Sequence, residues 1–197
     1  MKKPLLLAAV SVCLAVPGLS WAKSVMPGLP WSVYLYEGGR LLALLAFGLI
    51  FFQFVLSSRI PWVEQALGPA ALFRIHRRWG LIAFVLILLH PALLLLSEQL
   101  QGYASAMSLL KVLGVVTLLA LCAAVLVALL SRRLHLKVRT WKRIHKAAYV
   151  VFPLGWVHSL LIGTTLQKGP ARVLWFVLAA GYLAILVYKA VRGFRKR

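Results

Sequence analysis

Acidic side chains are almost missing. The 197-residue chain has three glutamates (Glu37, Glu64, Glu98), no aspartate, and 23 lysines and arginines, for a formal net charge of +20. Chemistry that needs a pair of carboxylates has almost no raw material here. Cysteine is also scarce: Cys13 and Cys122 both fall inside apolar stretches, which argues against a disulfide framework and against a cysteine-ligated metal centre. Long polar segments are missing too. The stretches left between the apolar runs are at most about 20 residues, too short for a soluble core of their own. What remains is apolar: hydrophobic residues make up 62% of the chain and the mean hydropathy is +0.91. Runs of about 20 apolar residues, the length that crosses a bilayer, recur along it.

The positive charge is concentrated in three places: Arg59 with Arg74, Arg77 and Arg78; Arg132 to Lys146; and Lys189 to Arg197. These clusters alternate with apolar spans, as the positive-inside rule produces, so the charge points to a lipid bilayer and not to nucleic acid. Five spans are expected at about 36–57, 76–97, 107–131, 146–163 and 171–190, with a short interfacial helix around Trp62 to Phe73. Met1 to Ala22 has a basic start, an apolar run and a Ser20-Trp21-Ala22 ending. That is the outline of a signal peptide, with an uncleaved extra helix as the other reading. The expected layout is therefore residues 1–22 as leader and 23–197 as one all-α, polytopic membrane bundle. Its expected location is a bacterial inner membrane, with basic loops and C-terminus on the cytoplasmic side.

Four histidines stand inside these apolar spans as two pairs, His76 with His90 and His145 with His158. The spacings are 14 and 13 residues, so each pair covers roughly 20 Å along a helix. With the second and fourth spans running in the same direction, His76 and His145 share one depth, and His90 and His158 share the other. Ionisable groups inside a membrane are costly and tend to be functional, although single histidines also hydrogen-bond between helices. Imidazole is an axial ligand of haem iron. Two helices with histidines at two depths predict two stacked haems, His76–His145 and His90–His158, forming a path for electrons. Fourteen residues return a side chain to the same helix face, but thirteen turn it roughly 140° away. Pro153, lying between His145 and His158, is a candidate for a kink that recovers the phase. His135 sits in the basic loop and is expected to be solvated.

Arg74, Arg77 and Arg143 flank the inner pair and are candidates to hold haem carboxylates, because guanidinium forks match that geometry. Topology and lipid headgroups explain them as well. Gly80 and Gly155 are candidate sites of close approach by a flat macrocycle or by a neighbouring helix. Phe84 and Phe152 are candidates to wall such a pocket.

The segments His76-Arg-Arg-Trp-Gly…Leu-His90-Pro and Trp141-Lys-Arg-Ile-His145-Lys-Ala-Ala-Tyr149…Val-His158-Ser resemble the ferric-reductase-like transmembrane domain over about residues 36–190. That family includes ferric reductases, NADPH oxidases and the haem-binding membrane subunit of the methionine sulfoxide reductase system. The resemblance implies b-type haems on His76, His90, His145 and His158, and electron transfer across the membrane. No glycine-rich dinucleotide fingerprint is present. The expected donor is thus a separate flavoprotein reductase or a membrane quinol. The expected acceptor is ferric iron, oxygen or a periplasmic redox enzyme. FMN or quinone binding has no motif to support it. Two further readings stay open: a quinol-reacting cytochrome b subunit, and a non-redox transporter or scaffold using histidines for protons or metal.

Overall fold

The computed structural model describes residues 2–131 and 133–194; Arg132 and the last three basic residues of the tail cluster lie outside that range. The described residues form eight α-helices and one 3-10 turn: α1 (Lys2–Ser24), α2 (Trp31–Ser57), α3 (Pro61–Leu67), α4 (Pro69–Leu100), α5 (Leu109–Leu130), α6 (Val138–His145), α7 (Ala148–Ile162), the turn Thr164–Leu166, and α8 (Pro170–Phe194). The all-α, multi-span bundle expected from hydropathy is what forms.

Local chemistry sets the breaks. Pro61, Pro69 and Pro170 open α3, α4 and α8, where a missing N–H costs nothing and the fixed φ suits a first turn. Gly68 joins α3 to α4 with φ +77°, a left-handed conformation that favours glycine. The joint divides the interfacial helix expected around 62–73: α3 ends at Leu67, and Pro69 to Phe73 already belong to α4. Ser108 caps α5, its hydroxyl accepting from the Lys111 N–H at 3.3 Å, which satisfies one of the donors left free at a helix start.

Among the described residues five helices are long and apolar enough to cross a membrane: Lys3–Ser24, Trp31–Ser57, Pro69–Leu100, Leu109–Leu130 and Pro170–Phe194. They are not the same five that hydropathy alone suggests. The N-terminal segment adds one, while the span expected at 146–163 becomes the 15-residue α7 preceded by the short α6. Residues 2–22 of the expected leader lie within α1, Met1 being outside the described residues, and α1 packs against α2, α3 and α8. Leu6, Val10 and Cys13 are buried in the common core. Gly48 admits this contact, since a Cβ there would lie 3.1 Å from the Cys13 carbonyl oxygen, and Trp21 donates its indole N–H to the Glu37 carbonyl at 2.8 Å.

An aromatic column binds α2, α7 and α8 together. Phe47 stacks on Phe152 at 4.7 Å and on Trp175 at 4.8 Å, and Phe152 stacks on Tyr182 at 4.5 Å. Phe152, which the sequence offers as a haem-pocket wall, is thus a core residue with 1% of its surface exposed. Ring pairs of this kind add to the area they bury. Their polar atoms are satisfied as well: Trp175 donates to the Ser159 hydroxyl at 2.8 Å, and Tyr182 to the Tyr149 carbonyl at 2.6 Å.

Among the described residues the most extensive helix contact is between α2 and α4, and Gly39 permits their close approach. A Cβ at Gly39 would meet Leu94 Cδ1 at 2.5 Å, the His90 carbonyl at 3.0 Å and Leu93 Cβ at 3.2 Å. Leucine 94 can move its methyl; the His90 backbone cannot. Gly39→Val is expected to force the helices apart and cost about 1–3 kcal/mol. A thermal melt in detergent checks this, and an unchanged midpoint would mean a looser α2–α4 contact than described.

Candidate cofactor site

The four histidines meet at two depths. His76 and His90 project from α4, His145 ends α6, and His158 lies in α7. The His76 and His145 ring centres are 6.4 Å apart, with planes at 76°. His90 and His158 lie within electrostatic reach of one another. The structure thus brings together the same-depth partners expected from sequence, with α4 and α7 running in the same direction.

The 13-residue spacing has a different solution from a proline kink. His145 and His158 are not on one helix. The chain leaves α6 at His145, turns through Lys146 and Ala147, and starts α7 at Ala148. The turn resets the phase, and Pro153 lies within α7 beyond it. A single regular helix would have carried one of the rings away from α4.

Each ring is held at Nδ1. His90 Nδ1 is 2.9 Å from the Gly39 carbonyl, His145 Nδ1 is 2.9 Å from the Ala124 carbonyl, and His158 Nδ1 is 2.7 Å from the Leu110 carbonyl. A carbonyl can only accept, so in these three rings Nδ1 carries the proton and donates it. The lone pair is then on Nε2, available to a metal. His76 has a different partner, the Gln53 side-chain amide, 2.9 Å from Nδ1. With its nitrogen inward, that amide also donates to the His76 carbonyl at 2.8 Å and accepts from the Gly80 N–H at 3.3 Å. An amide can present either atom to the ring, so His76 keeps a choice of tautomer that the other three lack.

These supports repeat at or near the spacing of their ligands, 14 against 14 for His76 and His90 and 14 against 13 for His145 and His158. Gly39 and Gln53 are 14 residues apart on α2, matching His90 and His76 on α4; Leu110 and Ala124 are 14 apart on α5, matching His158 and His145. Three helices, α4, α6 and α7, carry the rings and two, α2 and α5, hold them, at the same pair of depths. Gly114 completes the outer support. A Cβ there would lie 2.6 Å from His158 Cε1 and 3.0 Å from Nδ1, so the imidazole lies flat against a bare α5 backbone. Gly155 meets only Phe47 and Thr117 at 3.7 Å, ordinary helix packing, while Gly80 faces Gln53.

Among the described residues no three His, Cys, Asp or Glu side chains cluster as a metal cage. Facing pairs suit a metal whose remaining ligands come from a macrocycle. Two metal–nitrogen bonds of about 2.0 Å, plus the distance from each nitrogen to its ring centre, separate two opposed imidazoles by roughly 6.3 Å. The observed 6.4 Å fits one metal ion between His76 and His145.

The basic side chains divide differently from expectation. Arg74, Arg77 and Arg78 line an open cleft of about 340 Å³ with Leu81. At 3.6 residues per turn that face of α4 is roughly 150° from His76. Arg143 is exposed on α6, two residues before His145, and His135 is exposed in its loop. Lys189 of α8, which the sequence offers only as part of the C-terminal basic cluster, lies within electrostatic reach of His76. Its ammonium donates to the Tyr149 hydroxyl and lies 5.1 Å from that ring's centre. Nearby, Arg59 adopts φ +52° and presents its carbonyl to Arg192 at 2.6 Å. Arg59, the His76–His145 pair and the end of α8 thus share one strongly basic end of the bundle. The opposite end carries a neutralised pair, Arg40 with both Glu37 oxygens at 2.6 Å, and Arg40 also donates to Thr165 at 2.6 Å.

The sequence matches the family described as ferric reductase like transmembrane component over residues 42–156, more than half of the chain. The matched segment contains three of the four histidines and ends two residues before His158. No curated protein matches the chain.

Proposed function

The chain belongs to the ferric-reductase-like transmembrane components, membrane proteins of electron transfer, and from that premise we propose that it is a b-type cytochrome with two bis-histidine haems. His76 and His145 would hold the haem at the basic end, and His90 and His158 the one at the far end. Electrons would pass between the two faces of the membrane, from a donor at the basic end to an acceptor at the other. The observation that carries this reading is the set of Nδ1 contacts: three half-buried imidazoles donate to backbone carbonyls, leaving Nε2 basic and free of that support.

When bound, haem iron supplies reversible one-electron chemistry. The protein supplies the rest. The Gly39, Ala124 and Leu110 carbonyls keep the rings from rotating and raise their basicity. Gln53 holds the His76 ring from α2 through its side-chain amide, 2.9 Å from Nδ1. The apolar helices keep water from the path, and the 14-residue period sets the two sites roughly 21 Å apart along the helix axis. Lys189, within electrostatic reach of His76, and Arg143, two residues before His145 on α6, are suited to the anionic edge of a porphyrin. The protein's own location is the bacterial inner membrane, with the basic end facing the cytoplasm as the positive-inside rule requires.

A reduced-minus-oxidised spectrum and a haem-to-protein ratio on the purified full chain test the proposal. Two low-spin b-type haems per chain are expected. Purified protein that takes up no haem when haem is supplied during expression would overturn the reading.

A further inference from the structure

We propose that the Arg74–Arg77–Arg78 cleft binds the phosphate of an anionic phospholipid whose acyl chains lie along the outer face of α4. This site is separate from the histidine pairs and does not rest on what they hold.

Three guanidiniums occupy two adjacent turns of one helix face. Among the described residues none of them is within ion-pair distance of a carboxylate: Glu37 pairs with Arg40, Glu98 with Lys111, and Glu64 forms no ion pair with any of the three. Their mutual repulsion is therefore left uncompensated by the protein, and they converge on a cleft of about 340 Å³, room for a phosphate and its glycerol. Guanidinium forks bind phosphate oxygens in pairs. The fourth lining residue is Leu81, and below it the same face continues with Val85, Leu88, Leu95 and Leu96, all exposed. A soluble anion would use only the top of this surface. A lipid uses both parts, with its charge among the arginines and its hydrocarbon along the leucines. The location, at the basic end of a membrane-spanning helix, is where headgroup phosphates lie.

Native mass spectrometry of the detergent-purified full chain, titrated with dioleoyl phosphatidylglycerol, dioleoyl phosphatidylcholine or inorganic phosphate, tests this. Two charge-matched variants are compared, R74Q/R77Q/R78Q and R133Q/K137Q/R139Q. The first is expected to weaken phosphatidylglycerol binding at least tenfold; the second is expected to leave it within about twofold. Phosphatidylcholine should bind weakly to all three proteins, and millimolar phosphate should not displace phosphatidylglycerol. Equal weakening in both variants would mean diffuse charge and would overturn the site. Displacement by inorganic phosphate would make it a soluble-anion site. Loss of haem absorbance from R74Q/R77Q/R78Q alone would assign these arginines to a porphyrin's carboxylates instead, which also overturns the proposal.

Discussion

Replacing His158 with alanine should remove about half of the b-type absorbance, because each pair of rings would hold one haem and a lone imidazole is a poor substitute for two. His90→Ala should produce the same loss, and the double variant no further loss. That equality is the sharp part of the expectation. If His90 and His158 served different centres, the losses would add. His76→Ala and His145→Ala should likewise match each other and remove the other half. Combining one variant from each depth should leave no b-type signal. The whole series is read as haem per chain on purified protein. A His158→Ala variant that keeps both haems would break the pairing, whatever its activity.

Gly114→Ala is expected to imitate the loss of a ligand without touching one. Alanine in place of glycine inside an exposed helix ordinarily stabilises by up to about 1 kcal/mol. Here the new methyl would lie 2.6 Å from His158 Cε1, and an imidazole fixed by the Leu110 carbonyl has no flexible end to move aside. The ring must turn or withdraw, and the outer site should lose most of its haem while the inner site keeps its own. Gly155→Ala is the matched control, since its methyl would meet only Phe47 and Thr117 at 3.7 Å. Full haem content is expected there. Full occupancy in Gly114→Ala would mean that His158 does not lie against α5.

The contrast between these two glycines shows how far reading the residues goes. Both are glycines in apolar helices, and Gly155, three residues from a ligand, looks the better candidate in sequence. Gly114 lies 44 positions before the ring it accommodates, and no local pattern connects them. The backbone acceptors at Gly39, Leu110 and Ala124 are less visible still, because every residue has a carbonyl and its availability depends on a neighbouring helix. Gln53 left a faint signal, as a lone amide in an apolar run. The turn at Lys146 and Ala147 left none, since those residues continue a helical pattern. Pro153, which carries the conventional signal for a bend, lies inside a helix.

The order of residues along α4 determines the depths of His76 and His90, because rise per residue is a property of the helix itself. Composition likewise determines that the spans exist and which end of the bundle is basic. Rotation about each helix axis was decided only by packing. Glycines let α2 approach α4 and let His158 lie on α5, and the two supporting helices then fixed Nδ1 at each depth. A distance along a helix is local and additive, whereas the direction a ring faces depends on atoms from distant parts of the chain.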